Sequence, residues 1–417
     1  MEGERSILHC DLNNFYASVE CMLHPEIRGY PVAVCGRTEE RHGIVLAKNY
    51  LAKDYGVKTG ESVMEAKSKC RGLVMVNPHY REYMKYSRIV REIYKSYSDL
   101  VEPYGMDENW VDVTGSVRWF GSGEKIANEI RERVKRETGL TISVGVSFNK
   151  IFAKLGSDMK KPDAVTCITS ENFREKIWEL PADSMLGVGP SAMKLLRRYG
   201  ICTIGELAMC PDALLSYKFG INGIRMKQYA NGLDKSRVMP QNFCFPIKSV
   251  GNGITFLADL YTNEEVSPMI LSLSDHVAAR LREAGKKARG ISLTVKCNDL
   301  SWKEWQTSLD RPTQSAGELA ERAFELFRRS YPWVKPIRAM TVRAIRLVDM
   351  EYSDQVTIFC SAGRIEKTES IDRAVDGIRE RFGWASICRA ATLHMPKMPD
   401  FDEEVDIVMP SGMLTVS

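Results

Sequence analysis

The sequence VEPYGMDENWVDVT occupies residues 101–114 and places two adjacent acids between a turn and a strand. Gly105 favours the turn. The residues after the acids include the strand formers Trp110, Val111 and Val113. Asp107 and Glu108 therefore fall where a hairpin enters its second strand. Because neighbouring strand residues point to opposite faces, one acid faces any site on the sheet and the other lies at its edge. By itself such a pair is usually a solvated hairpin tip.

A third acid follows another strand near the N-terminus. The run SILHC, residues 6–10, predicts a short buried strand that ends at Asp11. The chain then turns into a helix, with Asn13 or Asn14 as the expected N-cap. One acid ending a central strand and two acids on an adjacent hairpin form a ligand set for two divalent cations, the device of phosphoryl transfer. Ligands that are all oxygen atoms favour Mg²⁺ over zinc.

The segments around these acids resemble one protein family. DLNNFYASVE, residues 11–20, and YGMDENWVDVTGS, residues 104–116, are similar to motifs of the Y-family of translesion DNA polymerases, nearest its DNA polymerase IV and UmuC-like branch. The similarity runs in consistent order from about Ile7 to about Val348. Two positions depart from the family pattern. Lys53 stands where many members have Arg, and Asn13 stands where many have Asp, a change expected to remove negative charge but no required ligand.

This resemblance implies an α+β multidomain protein built as a right-hand polymerase. Its implied parts are a ferredoxin-like palm (1–11 and 79–170), small fingers (12–78), a helical thumb with a helix–hairpin–helix (171–237), a linker (238–247), a second β-α-β-β-α-β unit called the little finger (248–352), and a C-terminal segment with a clamp-binding peptide, a helix and an acidic tail (353–417). Hydrophobic periodicity supports several of the expected elements. It predicts helices over 80–97 and 124–137 and a strand over 142–148 that alternates into the core.

The resemblance also implies a role for each residue of the site. Asp11, Asp107 and Glu108 are the implied catalytic residues, and together with the backbone carbonyl of Leu12 they would hold two Mg²⁺ ions, or Mn²⁺ in their place. Tyr16 is the implied steric gate, beneath the sugar, where a 2′-hydroxyl would clash with its ring. The implied nucleotide-binding residues are Asn14, Phe15, Tyr16, Tyr50, Lys53 and Lys161. Without the resemblance, Tyr50 and Lys53 at one-turn spacing would indicate ordinary surface packing.

Two further regions have patterns that suit DNA. LGVGPSAMKLLRRYGICTIGEL, residues 186–207, predicts two helices around a tight turn, which is either a DNA-gripping helix–hairpin–helix or a plain αα-hairpin. Gly187 and Gly189 would let a phosphate approach a helix N-terminus, and Lys194 would lie on the outer face. In the second sheet, basic residues on polar strand faces would contact the nucleic-acid backbone. These residues are Lys296, Arg338 and Arg343.

The segment after the second sheet suggests a protein partner. QVTIF, residues 355–359, resembles the short peptide by which replication proteins bind a sliding clamp. Gln355 can donate and accept hydrogen bonds, and Ile358 with Phe359 could fill an apolar pocket. The alternative is that these two side chains pack against an amphipathic helix expected over 365–381. Residues 396–417 are expected to form a mobile acidic tail.

Composition limits the setting in which the chain works. The 417 residues contain no apolar run of membrane-spanning length and no visible signal peptide, so a cytoplasmic protein without a membrane partner is expected. The 11 cysteines include no C-x-x-C pair, which argues against both a zinc site and a disulfide framework. Net charge is +4. Residues 397–417 carry −4, which leaves +8 on the preceding 396 residues and suits a protein that binds DNA phosphates.

These observations favour template-directed DNA synthesis. The expected protein is a monomeric translesion polymerase of low fidelity that adds deoxynucleotides to a primer 3′-hydroxyl and bypasses DNA damage. Its expected partners are primer–template DNA, the incoming dNTP and a sliding clamp. A nucleotide cyclase on a similar palm is an alternative, but it would not need a duplex grip or a second sheet. A non-catalytic DNA-binding scaffold derived from a polymerase is another, and the presence of all three acids argues against it.

Overall fold

The structure is a computed structural model of the chain. It describes residues 4–36, 43–243, 245–352, 362–393 and 395–399, and for 362–366 only the backbone. These residues form two compact units, and the change of unit falls between residues 245 and 246, inside the segment predicted as a linker. No helix within these ranges has the length and hydropathy of a membrane span. The nine cysteines in the same ranges are free.

The first unit is mixed α and β. Its strands are β1 (Ile7–Leu12), β2 (Val32–Cys35), β3 (Val45–Lys48), β4 (Val74–Val76), β5 (Val101–Pro103), β6 (Glu108–Asp112), β7 (Ile142–Ser147) and β8 (Val165–Ile168). Its helices are α1 (Phe15–Leu23), α2 (Tyr50–Asp54), α3 (Val63–Lys69), α4 (Tyr80–Lys95), α5 (Val117–Phe120), α6 (Gly123–Thr138), α7 (Lys150–Met159), α8 (Phe173–Ile177), α9 (Pro190–Arg197), α10 (Ile204–Met209), α11 (Asp212–Phe219) and α12 (Ile221–Ala230).

The central sheet of this unit has the strand order β5-β6-β1-β7-β8. Strand β1 lies between β6 and β7 and is antiparallel to both, whereas β7 and β8 are parallel. All six residues of β1 are buried, as expected for a strand covered on both faces. The stripe predicted for α6, Ile126, Ile130 and Val134, is fully buried in the core on one side of the sheet. The centre of the sheet is therefore a rigid base for the residues at its ends.

Strand β7 does not alternate as the sequence suggested. All six of its residues are buried, because α7 packs closely on the second face. Gly145 makes this approach feasible, since a Cβ at this position would lie 1.8 Å from the Ala153 carbonyl oxygen and 2.5 Å from the Ser157 nitrogen. The polar residues Ser143 and Ser147 of this strand are therefore buried as well.

A second, smaller sheet has the order β3-β2-β4 and packs on α2 and α3. Helix α2 is only five residues long, and Asn49 fixes its start. The Asn49 side chain accepts hydrogen bonds from the N–H groups of Ala52 and Val32, each at 3.0 Å, and donates to the Tyr30 carbonyl at 2.8 Å. A single amide therefore anchors α2 to the strand beside it.

Helices α8–α12 surround a separate apolar core that includes Met193, Leu196, Ile204 and Leu207. Helix α9 has Pro190 at its first position, as predicted, and Gly187 precedes it with a φ of +94°. Helix α10 begins with a capping box formed by Thr203 and Glu206. The all-helical character predicted for 171–237 agrees with these elements.

The second unit has the predicted β-α-β-β-α-β order. Its elements are β9 (Ser249–Leu260), α13 (Asn263–Glu283), β10 (Lys286–Cys297), β11 (Trp302–Thr313), α14 (Ala316–Ser330), β12 (Ile337–Asp349) and α15 (Ala362–Phe382). The sheet has the order β11-β10-β12-β9, with every neighbouring pair antiparallel. Its inner face, which includes Ile291, Leu293 and Val295, packs on α13 and α14.

Helix α15 lies where an amphipathic helix was expected, but charged residues lie on its buried side and apolar residues on its exposed side. Asp372 and Arg379 are buried, whereas Ile371, Ile378 and Phe382 are exposed. The buried side forms an ion network with α13. Its contacts are Arg379 to Asp275 (3.4 Å), Arg282 to Asp372 (3.6 Å) and Arg282 to Asp376 (2.5 Å). The partners of these charges come from another helix, so periodicity within α15 did not reveal them.

The start of the expected mobile tail is also ordered by contacts, so that prediction was wrong for residues 396–399. Met398 is buried in the apolar core of the second unit. The Lys397 carbonyl accepts from the Leu257 N–H at 2.8 Å, and the Lys397 ammonium pairs with Glu265. The proposed clamp peptide, with Gln355, Ile358 and Phe359, lies outside the described residues, as do residues 400–417.

Candidate active site

The three acids lie at the same end of two adjacent strands. Asp11 on β1 is directly opposite Glu108, the first residue of β6. The Leu12 N–H donates to the Asp107 carbonyl at 3.1 Å, which fixes the turn residue beside the strand end. Directly opposed residues of an antiparallel pair project on the same face. The register therefore brings the Asp11 and Glu108 side chains together, with Asp107 next to them.

Burial and mutual repulsion make the two aspartates difficult to ionise. Burial raises the pKa of Asp107 to about 7, and the charges of Asp11 and Glu108 raise it as well. Burial also raises the pKa of Asp11 to about 6, although Lys161 opposes the shift. Only 6% of Asp11 is exposed. A cluster of this kind is favourable at neutral pH only when positive charge is supplied to it.

Two lysines supply that charge here. The Lys161 ammonium lies 2.5 Å from Asp11 and 2.8 Å from Asp158. The Lys154 ammonium donates to both carboxylate oxygens of Glu108 at 2.8 Å. Sequence reasoning identified Lys161 through the family resemblance but missed Lys154, because a lysine within an amphipathic helix usually faces solvent. The one available signal was the position of Lys154 on the helix that directly follows β7.

The donor set fits a hard divalent cation. The available groups are carboxylate oxygens and the Leu12 carbonyl, the oxygen ligands that Mg²⁺ and Mn²⁺ prefer. In the described part of the chain, no three acidic, His or Cys side chains are already gathered around one point as a metal site. The lysines hold Asp11 and Glu108 in other pairings. Cation binding would therefore require these carboxylates to exchange lysine for metal.

His9 lies on β1, two residues before Asp11. It is fully buried on β1, and burial together with the nearby Lys154 lowers its pKa, so the ring is neutral. Ser157 donates its hydroxyl hydrogen to the Lys154 carbonyl at 2.7 Å and lies 2.8 Å from the His9 Nδ1. The Nδ1 atom is therefore the donor of the ring. Neutral His9 adds no positive charge to the site, which leaves that task to the lysines.

The residues predicted to bind nucleotide lie around the same acids. Tyr50 is half-buried on α2, and the Lys53 ammonium lies 5.6 Å from the centre of its ring. Burial raises the pKa of the Tyr50 hydroxyl, and the charges of Lys161 and Asp11 act on it in opposite directions. Burial likewise raises the pKa of Tyr16, with a further contribution from Asp107. The structure thus places Tyr16 and Tyr50 within electrostatic range of the aspartates, and Lys53 next to Tyr50.

The N-cap of α1 is Asn14, one of the two expected residues, but it lacks the side-chain hydrogen bond of a cap. Its backbone has a φ of 48°. Asn13 does not cap the helix, because its buried amide donates to Ser143 Oγ and accepts from the Asp163 N–H, both at 2.9 Å. The first N–H groups of a helix have no intrahelical acceptor. Asn14 and Phe15 therefore offer backbone donors close to Asp11.

The predicted DNA-binding residues divide between the two units. In the first unit, Gly187 and Gly189 precede α9 and Lys194 is exposed on it. In the second unit, Lys296 is exposed on β10, and Arg343 on β12 lies 3.7 Å from Glu304. Arg338 occupies a bulge of β12, between the residues paired with Lys296 and Cys297. The polar face of this sheet is therefore less uniformly basic than the sequence suggested.

Comparison with known proteins gives a consistent result. The impB/mucB/samB family matches residues 10–158, and the impB/mucB/samB family C-terminal domain matches residues 247–358. The chain is 51% identical to DNA polymerase IV of Acetivibrio thermocellus, over 94% of this chain and 98% of that protein. It is 36% identical to DNA polymerase IV 2 of Bacillus subtilis, over 94% and 96% of the two chains.

A solved structure has the same fold. It is a chimera of the Y-family DNA polymerases Dbh and Dpo4, with a TM-score of 0.74 and 21% sequence identity, and the match covers 82% of this chain and 99% of that one. The central sheet of the first unit, the helices α8–α12 and the sheet of the second unit agree with such a fold. From the family match over most of the chain, the identity with its relatives and this shared fold, we conclude that the chain belongs to the impB/mucB/samB family, as a Y-family polymerase of the DNA polymerase IV type.

Proposed function

We propose that this DNA-directed DNA polymerase of the translesion type uses two divalent cations, held by Asp11, Asp107 and Glu108, to join a deoxynucleotide to a primer 3′-hydroxyl. The observation that carries the proposal is a strand end where Asp11 and Glu108 are opposed across β1 and β6 and Asp107 is adjacent, so that three acids share two lysines. Family membership favours neither a nucleotide cyclase nor a non-catalytic scaffold.

The cation ligands divide into two sets. Asp11 and Asp107 would contact both ions, the Leu12 carbonyl would complete the nucleotide-side ion, and Glu108 would serve the ion at the primer terminus. Bound Mg²⁺ or Mn²⁺ would lower the pKa of the primer hydroxyl and neutralise charge on the leaving pyrophosphate. In the absence of cations, Lys154 pairs with Glu108 and Lys161 pairs with Asp11.

Triphosphate binding would use the cationic and donor groups next to the acids. Lys161 would move from Asp11 to the phosphates once a cation replaces it at the carboxylate. Lys53 and the Tyr50 hydroxyl would hold the same phosphates from α2, with the N–H groups of Asn14 and Phe15 as further donors. Together these groups would offset the negative charge of the polyphosphate and help to orient the α-phosphate toward the primer.

Tyr16 would select the sugar. Its ring lies on the first turn of α1, five residues after Asp11, and its hydroxyl is close enough to Asp107 to be affected by that charge. A deoxyribose would lie over the ring, whereas the 2′-hydroxyl of a ribonucleotide would clash with it. Selection of this kind is steric and does not require a hydrogen bond to the sugar.

Primer–template DNA would be held outside the catalytic cluster. The Gly187–Gly189 turn and Lys194 would contact phosphates from the helical segment, and Lys296, Arg338 and Arg343 would do so from the second unit. We further propose that the enzyme acts as a cytoplasmic monomer, tethered to a sliding clamp by Gln355, Ile358 and Phe359.

The test is primer extension with Asp107→Asn, Asp11→Asn and Glu108→Gln, each with Mg²⁺ and with Mn²⁺, on undamaged and damaged templates. We expect the two aspartate variants to lose extension while duplex affinity stays at the parent level, because the DNA contacts lie elsewhere. Glu108→Gln should retain some activity. Extension by Asp107→Asn at the parent rate would show that the cation assignment is wrong.

A further inference from the structure

The ring proposed to select the sugar rests on a second ring. Tyr83 on α4 stacks on Tyr16, with ring centres 4.3 Å apart and an angle of 11° between the planes. Tyr80 contacts both of them edge-on, at 6.0 Å from Tyr16 and 5.7 Å from Tyr83. Tyr83 is fully buried, whereas Tyr16 is only partly buried. Tyr16 is thus backed on one side and accessible on the other.

Tyr83 is in turn attached to a buried carboxylate. Glu20 on α1 is fully buried and accepts a hydrogen bond from the Tyr83 hydroxyl. The His79 Nδ1 lies 3.0 Å from both Glu20 oxygens. A buried carboxylate is unfavourable unless it is hydrogen-bonded. Glu20 takes no part in the proposed cation or nucleotide contacts, so its position under this aromatic stack calls for another role.

We infer that Glu20 is a positioning residue for sugar selection, because it fixes Tyr83 and thereby holds the Tyr16 ring in place beneath the nucleotide sugar. The inference rests on the proposed role of Tyr16. A steric gate discriminates only as far as its ring resists displacement by the extra hydroxyl. Tyr16 and Glu20 lie on α1, while Tyr83 lies on α4, so the contact also fixes the gate relative to a neighbouring helix.

A purely structural role for the Glu20–Tyr83 hydrogen bond predicts a different result. In that case its loss would weaken packing between α1 and α4 and reduce the incorporation of both sugars equally. The ratio of kcat/KM for dNTP to kcat/KM for the matching rNTP separates the two roles, because a general loss of activity cancels from it.

The experiment measures this ratio for Tyr83→Phe, Glu20→Gln and Tyr16→Ala. Tyr83→Phe keeps the ring and removes only the hydroxyl, so it is the variant least able to disturb folding. We expect the ratio to fall about 3- to 10-fold, the change that corresponds to one lost hydrogen bond, with most of the effect in the KM for rNTP. The ratio for Glu20→Gln should lie between those of Tyr83→Phe and the parent, because an amide oxygen still accepts from the hydroxyl. Tyr16→Ala should lower the ratio further, and adding Tyr83→Phe to it should have no additional effect.

Tyr97→Phe is the matched control. Tyr97 is also buried and donates its hydroxyl to a glutamate, Glu129, at 2.8 Å, but it has no ring contact with Tyr16. Its ratio should equal that of the parent. If Tyr97→Phe lowers the ratio as much as Tyr83→Phe, the effect is general and the inference is overturned.

The remaining outcomes distinguish the inference from the function on which it rests. If Tyr16→Ala lowers the ratio while Tyr83→Phe and Glu20→Gln leave it unchanged, Tyr16 is the gate but Glu20 does not position it. If Tyr16→Ala itself leaves the ratio unchanged, the proposed gate is wrong and the inference falls with it.

Discussion

Asp107 connects the chemistry of the site to the stability of the fold. Its pKa of about 7 is caused first by burial and then by the neighbouring charges of Asp11 and Glu108. A carboxyl with a raised pKa binds its proton more tightly in the folded chain than in the unfolded one. Without bound cations, ionisation of Asp107 therefore destabilises the protein.

The first prediction concerns pH. Between the ordinary Asp pKa of 3.8 and the folded value of about 7, the folded state binds more protons, so the contribution of Asp107 to stability is present at the acid end and lost as pH rises. Asp107→Asn should therefore be more stable than the parent above pH 7 in EDTA, by up to about 4 kcal/mol, and the difference should disappear near pH 4. Urea unfolding at pH 4, 5.5 and 8 measures this difference. Identical pH profiles for the two proteins would contradict the raised pKa.

The second prediction concerns Lys154, which pairs with Glu108, a proposed cation ligand. Lys154→Met should increase the affinity for Mn²⁺ about 3- to 10-fold, because the pairing of this lysine with Glu108 no longer has to be broken. It should also lower the stability of the cation-free protein, since Glu108 loses its partner. Titration followed by Mn²⁺ electron paramagnetic resonance gives the affinity, and Lys154→Arg, which keeps the charge, is the control. Weaker Mn²⁺ binding by Lys154→Met would mean that the lysine organises the site instead of competing for it.

At the scale of elements, the contact between β7 and α7 places several groups of the site. Helix α7 supplies Lys154 to Glu108, and its Ser157 contacts His9 on β1. This proximity depends on the missing side chain of Gly145, because the Ala153 carbonyl occupies the position of a Cβ. The third prediction follows from that geometry.

Gly145→Ala should destabilise the protein by about 3 kcal/mol or more, because backbone atoms of α7 must move. Its primer-extension rate should also fall, since β7 is paired with β1, the strand that carries Asp11. Gly72→Ala is the control, because a Cβ there has no atom within 4 Å, and it should change stability by less than about 1 kcal/mol. Denaturant unfolding measures both variants. A Gly145→Ala protein as stable as the parent would show that the close contact is not needed.

Helix α15 forms where a helix was predicted, but the side of it that is buried differs from the prediction. Its charged residues are buried because Asp275 and Arg282 on α13 provide opposite charges for them. Arg389 adds a second partner for Asp275 at 3.0 Å. A buried charge is tolerated when such partners are present, so the hydropathy of α15 alone was misleading about which side is inside.

At the scale of the whole molecule, two units with separate cores each carry residues proposed to contact DNA. Lys194 belongs to the first unit and Lys296 to the second, and both are exposed. If both contact phosphates, their effects on the salt dependence should add, because each lysine would release its own counterion.

The fourth prediction is therefore about salt dependence. Lys194→Ala and Lys296→Ala should each reduce the slope of log K against log salt by about 0.9, and the double variant by about twice that amount. Fluorescence anisotropy with a primer–template duplex at several salt concentrations measures the slopes. Lys85→Ala, which removes an exposed lysine paired with Glu82, is the control and should leave the slope unchanged. An unchanged slope for Lys296→Ala would remove the second unit's sheet face from the DNA contacts.

The sequence by itself determined the family and the three acids at the strand ends. It also determined the order of elements in the central sheet of the first unit and in the sheet of the second unit. These features depend on residues that are close along the chain, since a turn glycine, strand periodicity and helix phase are local signals. Tertiary structure alone decided which groups face those acids. Lys161 lies 150 residues from Asp11, and Lys154 lies 46 residues from Glu108. The same holds for Asn13 with Ser143, for Glu20 with Tyr83 and for the buried charges of α15. Pairing between such distant residues is set by how sheets and helices pack, and no local pattern in the sequence encodes it.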